Sequence, residues 1–171
     1  VVVQLRQAAV FDIRQALREG TVDLAVVALD RQQQRGLVTR LRAREEMVLV
    51  ASPRRSLTTN GAEDTVDLAD IAELPQVEFT PGWAIRDAAD RAFRAAGVER
   101  ATTFEVNDIV AASELVRAGL GVCIMPPTGS HRFPDLATYR FARHAPSWQV
   151  IVVRPPGEPP AAVAALLRHI T

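Results

Sequence analysis

Three histidines, His131, His144 and His169, and one cysteine, Cys123, are the side chains that most readily hold a metal or attack a substrate. No two of the histidines lie within two to five residues of each other, so local zinc-ligand spacing is missing and no resident metal is expected. Cys123 sits between Val122 and Ile124 in an apolar run, the setting of an inert buried thiol. The chain has no Gly-x-Ser-x-Gly elbow, no Gly-x-Gly-x-x-Gly turn and no Gly-Lys-Ser/Thr phosphate loop. All 20 basic residues are arginines, which excludes Schiff-base chemistry. Asp23, Glu105 and Asp108 could move protons, but Asp23 ends a helix-to-strand turn and Asp108 precedes a helix, where capping accounts for it. These residues point away from an enzyme.

Binding is better supplied. Thr80-Pro81-Gly82-Trp83 follows a strand pattern at Val77 to Phe79 and precedes a helix whose apolar face is Ile85, Ala88, Ala89, Ala92, Phe93 and Ala96, stopped by Gly97. In open α/β sheets ligands collect at such strand-to-helix loops, where unpaired N–H groups and the helix dipole face the opening. Thr80 offers a hydroxyl, Gly82 admits a ligand to the backbone, Trp83 can cover an organic group and Arg86 lies one turn on. The competing reading packs Trp83 into the core and leaves Arg86 in solvent. With Asp108 and Pro126, the loop residues Thr80, Gly82 and Trp83 make the candidate site for a small organic ligand, expected to be anionic. Asp108 would repel an anion unless its own helix N-terminus absorbs its charge.

The elements around this loop alternate in type. Val1 to Leu5 reads as a strand; Val10, Ile13 and Leu17 mark a helix ended by Gly20. Val22 to Leu29 reads as a strand buried in a parallel sheet. Arg31 to Arg35 is a polar loop, Met47 to Ala51 a buried strand, and Ser56 to Asp64 a flexible, turn-rich stretch. A further strand and helix begin at Thr103, with Asp108 capping a face of Ile109, Ala112, Leu115 and Val116 before Gly119. Leu120 to Met125 and Val150 to Val153 complete the strands, and Val163, Leu167 and Ile170 mark a closing helix. The alternation makes the fold class α/β.

At 171 residues, 48% hydrophobic and 23% charged, the chain can bury one ordinary core or two small ones. Its formal net charge of zero lacks the positive excess that grips a phosphate backbone, so the chain alone should not hold DNA. No apolar run approaches the ~20 residues that span a bilayer, so no membrane partner is expected. Abundant alanine and arginine without lysine suggest a GC-rich bacterial genome. The chain begins at Val1 inside a strand pattern and is read as part of a longer polypeptide.

Taken in order, several segments resemble the effector-binding domain of LysR-type transcriptional regulators. Gly20-Thr21-Val22-Asp23-Leu24-Ala25-Val26 resembles the family's Gly-x-Leu-Asp-Leu-Ala-Ile, and Met47 to Ala51 its first crossing strand. Val66 to Ile71, Pro75 and Val77 follow the next block; Gly82, Arg86, Phe93 and Gly97 keep its spacing. Glu105, Asp108, Leu115-Val116, Ala118-Gly119, Gly121 and Met125-Pro126 form the most specific stretch, with Trp148 to Arg154 and Pro160 to Ala162 after it.

The resemblance implies a type II periplasmic-binding-protein-like fold, two α/β lobes joined by two crossing strands. Residues 1–56 with 141–171 would form the first lobe, lacking the family's first strand and helix, and 57–140 the second. It implies a small effector in the cleft between lobes and no cofactor. It further implies a cytoplasmic homodimer or homotetramer that reaches DNA through an N-terminal winged helix-turn-helix outside this chain. Arg55-Ser56-Leu57 departs from the family's His-Pro-Leu. A solute-binding protein of the same fold serving transport is the alternative, and an enzyme on this fold a third class.

Overall fold

A computed structural model describes residues 3–6, 10–29, 33–57 and 64–170. The chain divides into two units, Val1–Arg44 with Gln149–Thr171, and Glu45–Trp148.

In the first unit the predicted apolar stripe forms α1 (Val10–Glu19), and Gly20 follows with φ +69°, the left-handed conformation that ends a helix at no steric cost. Leu17 from α1 is buried with Val27, Leu29, Ile151 and Val153, and Ile13, Val22 and Leu37 pack around them. The sheet beneath runs β1 (Ala25–Ala28), β9 (Ser147–Arg154), β2 (Val38–Glu46). The parallel, doubly buried strand expected over Val22 to Leu29 is instead antiparallel: Val27 stands opposite Ile151, and only 25–28 are strand. Alternate side chains point to opposite faces, so Val27 enters the core while Val26 is 56% exposed. The strand expected at the N-terminus does not form over the described residues Val3 to Leu5, which are exposed and have no ladder partner in the β1-β9-β2 sheet; Val1 and Val2 lie outside the described residues. The closing helix is α6 (Ala161–Ile170), with Val163 buried.

The second unit is built on β3 (Val48–Ala51), whose four residues are all buried. β3 pairs antiparallel with β7 (Cys123–Met125) on one side and with β8 (Ala137–Phe141) on the other, and β4 (Thr65–Val66) lies parallel beside β8. Met47 to Ala51 had been expected in the first lobe. Its ladder partners put it at the centre of the second unit's sheet, and the chain divides after residues 44 and 148, where the expectation was 56 and 140. Both divisions fall inside a strand, β2 and β9.

A parallel pair, β5 (Gln76–Phe79) and β6 (Thr102–Val106), continues from β7. The junction is a parallel bridge between Gln76 and Val122: Val77 N–H donates to Val122 O and Val122 N–H to Pro75 O, both at 2.9 Å. α2 (Leu68–Ile71), α3 (Ala84–Ala96), α4 (Ile109–Arg117) and α5 (Pro127–Ser130) connect the strands. Ile85, Ala88, Ala89, Ala92 and Phe93 bury the predicted face of α3, and join Leu49, Val50, Val77, Val116, Val122 and Met125 in one core. Of the expected flexible stretch at Ser56 to Asp64, residues 58–63 lie outside the described residues, as do Arg31 and Gln32 of the expected polar loop.

Candidate functional site

β5, β6 and β7 run in the same direction, so their carboxyl ends share one edge of the second unit's sheet. β5 ends at Phe79 and leads through Thr80 to Trp83 into α3. β6 ends at Val106 and leads through Asn107 and Asp108 into α4; β7 ends at Met125 and leads through Pro126 into α5. Phe79 is in register with Val106, and Thr80 N–H donates to Val106 O at 2.9 Å, which ties the first two loops together. The five residues singled out from sequence, Thr80, Gly82, Trp83, Asp108 and Pro126, therefore all lie at this edge. It is the edge where open α/β sheets bind ligands.

Each has a distinct local role. Thr80 is half-buried, and its hydroxyl has no partner among the described residues. Gly82 takes φ +88°, a conformation that favours glycine and lets the chain turn into α3. Trp83 is the N-cap residue of α3, extended at φ −85° and ψ 136°, and its side chain offers the first helical N–H groups no acceptor. Its half-buried ring tilts 37° against Phe79 with centroids 6.5 Å apart. Trp83 is thus partly packed against the core and partly accessible.

Asp108 caps α4: its carboxylate accepts from Ala111 N–H at 2.9 Å and its carbonyl from Ala112 N–H at 3.1 Å. Its charge faces its own helix N-terminus, as the capping reading required. Pro126 is buried, and its carbonyl accepts from Gly129 N–H and Ser130 N–H at 2.9 and 3.1 Å, leaving the ring as its contribution to a wall.

Arg86, which the competing reading leaves in solvent, is instead largely buried among ion pairs. Its guanidinium lies 3.3 Å from Glu78 Oε2, donates to Asp90 Oδ1 at 3.0 Å and to Phe79 O at 3.2 Å, and reaches Glu105 at 3.5 Å. Burial works to lower its pKa, but the charges of Glu78 and Asp90 and a hydrogen bond to Glu105 outweigh burial and hold it above the usual arginine value. Glu78, 7% exposed, also accepts from Arg100 and from the Thr102 hydroxyl, and Arg100 stacks over the Phe93 ring at 4.2 Å. Sequence reasoning missed this network. Its one local trace is the four-residue spacing of Arg86 and Asp90 on a helix.

Cys123 is fully buried; burial pushes its thiol pKa up, and the Glu78 charge adds to this. Among the described residues no group of three or more His, Cys, Asp or Glu side chains is arranged to hold a metal, and no described helix is long and apolar enough to cross a membrane.

The family model of the LysR substrate binding domain matches residues 1–171. The chain belongs to this family. A probable nitrogen assimilation transcriptional activator of Synechococcus elongatus is 28% identical to this LysR domain over 145 residues, which are 84% of the chain and 42% of the relative. The chain thus spans less than half the length of that regulator. Among solved structures, the effector binding domain of QuiR in complex with shikimate superposes with a TM-score of 0.81 at 18% identity, over 96% of this chain and 77% of that one. The Synechocystis PCC6803 CcmR regulatory domain in complex with 2-PG gives 0.80 at 14% identity, over 93% and 76%. At these identities the likeness is one of fold, and it gives this LysR domain the periplasmic-binding-protein-like fold anticipated from its motifs.

Proposed function

We propose that the chain is the effector-sensing part of a LysR-type transcriptional regulator and binds a small organic anion through Thr80, Gly82, Trp83, Asp108 and Pro126. The observation that carries the reading is the family match over the whole chain, with a regulator as the curated relative. The residue assignment is supported by the position of these five residues at the carboxyl edge of three parallel strands. An anion there would accept from the uncapped N–H groups of α3, gaining about 0.3–1 kcal/mol from the helix dipole. That is small beside the ~8 kcal/mol of a micromolar complex, so apolar contact, with the half-buried Trp83 as the ring at this edge, supplies the larger part. In this reading the chain has no catalytic activity. It works in the cytoplasm as a homodimer or homotetramer, and DNA is held by a winged helix-turn-helix in the rest of the protein. Regulation is favoured over transport because the curated relative is a transcriptional activator.

The test is isothermal calorimetry of the chain against a panel of small carboxylates, shikimate included, and phosphorylated acids. Thr80→Ala and Trp83→Ala should each weaken the binding found while leaving the melting temperature of the free chain nearly unchanged. Normal binding by both variants would overturn the site. A mobility-shift titration at physiological salt should show no sequence-specific DNA binding by the chain, whose net charge is zero.

A further inference from the structure

We infer that Arg86 is a positioning residue: anchored by buried Glu78, it fixes the end of β5 and so sets the conformation in which loop 80–83 presents Thr80 and Trp83. The inference builds on the reading of that loop as the effector site, but its test uses no effector.

Three observations carry it. First, Arg86 stands in the first turn of α3, where a positive charge opposes the helix dipole. A residue placed there for surface charge would be acidic, so the guanidinium must have partners that outweigh the dipole. Second, those partners lie on three elements: Glu78 on β5, Asp90 on α3 and Glu105 on β6. Glu78 is also held by Arg100 on Oε1 and by the Thr102 hydroxyl on Oε2, the oxygen that faces Arg86, so the anchor has partners independent of Arg86. Third, the remaining contact of the guanidinium is with the loop's own stem. It donates at 3.2 Å to the carbonyl of Phe79, the last residue of β5 and the one before Thr80, and the Phe79 ring is the aromatic contact of Trp83. Nη1 alone faces Glu78, Glu105 and the Phe79 carbonyl while Nε holds Asp90; a lysine ammonium is a single nitrogen and cannot occupy both positions at once.

The chain has two tryptophans, Trp83 and Trp148. Labelling with 5-fluorotryptophan gives two fluorine NMR resonances, which Trp148→Phe assigns. In the ligand-free chain, Arg86→Gln should shift and broaden the Trp83 resonance while the Trp148 resonance holds its place. Arg86→Lys, which keeps one charged nitrogen near Glu78 but loses the second that is braced on Asp90, should shift Trp83 in the same direction by less. Glu105→Gln, which removes only the exposed partner, should move neither. A general loosening of the second unit would displace both signals. An unmoved Trp83 signal in Arg86→Gln, or in Arg86→Lys if the first variant fails to fold, would show that Arg86 braces α3 without setting the loop. An unmoved signal leaves the effector site to the calorimetry of Thr80→Ala and Trp83→Ala, so the two readings fail separately.

Discussion

Trp148 and Glu45 are joined side chain to side chain, the indole Nε1–H donating to Glu45 Oε2 at 2.9 Å. They are the last and first residues of the second unit, on the two strands in which the chain divides. Close by, Met47 N–H donates to Pro146 O at 2.7 Å, so backbone and side chains both fasten the entry and exit of that unit.

Trp148→Phe keeps most of the ring's packing and removes the donor. A hydrogen bond to a charged group contributes roughly 1.5–3 kcal/mol, and a half-buried pair belongs at the low end. Urea denaturation should show a loss of about 1.5 kcal/mol, and Glu45→Gln, which retains an acceptor, should lose less.

Glu78→Ala should be far more damaging. Removing one partner of a buried ion pair leaves the other uncompensated and costs about 3–5 kcal/mol. Here Arg86 and Arg100, with side chains 15% and 9% exposed, both lose Glu78 and are left to share the half-buried Asp90, which puts the cost at the low end of that range. The expected loss is at least about 3 kcal/mol by denaturation. A loss below about 1 kcal/mol would mean that water replaces the carboxylate.

Asp90 gives the network a pH signature. Burial works to raise its pKa, but hydrogen bonds from Arg100 and Arg86 outweigh burial and hold it below the usual carboxylate range. A lowered folded-state pKa means stability that is fully present above the unfolded value of about 3.9, and lost as pH falls through the folded value. Asp90→Asn should therefore be less stable than the native chain at pH 7. The gap should close only below about pH 4, which thermal melts between pH 7 and pH 3 would read.

How much of this was legible in the sequence depended on what kind of partner each residue has. α3 and α4 were readable because their apolar faces recur at helical spacing and their ends carry Gly97 and Asp108, and the loop at Thr80 followed from its neighbours. β2 was not anticipated: Val38–Glu46 carries five charged residues, its first five positions are exposed, and only Leu41 and Ala43 alternate with the arginines, too few apolar positions to mark a buried face. β8, alternating half-buried and exposed before Phe141, was missed for a similar reason. The lobe that holds Met47 to Ala51 depends on pairing with β7, more than 70 residues away, which no local pattern encodes. The Glu78 network joins β5, α3 and β6 through tertiary contacts. Of its pairs only Arg86 and Asp90 are near in sequence.

The junction between β5 and β7 brings Pro126 to the same edge as Thr80. Gly121 precedes the Val122 bridge, and a Cβ there would stand 2.6 Å from Pro75 O and 3.1 Å from Val77 Cγ2. The first contact is with backbone, which cannot rotate away as a side chain can. Gly121→Ala must therefore push β7 from β5, against the two 2.9 Å hydrogen bonds between Val122 and the chain at Pro75 and Val77. Gly129 is the comparison: its Cβ would meet Ile109 Cδ1 at 2.3 Å, a tighter approach but to the tip of a flexible side chain. Overpacking in a core costs typically about 1–3 kcal/mol. Gly121→Ala should lie at or above the top of that range, and Gly129→Ala near the bottom, because a rotamer change at Ile109 relieves it. Denaturation of both variants at 25 °C checks the order. If Gly129→Ala were the more destabilised, the β5–β7 junction would be yielding, and the shared edge of the candidate site would not be rigidly built.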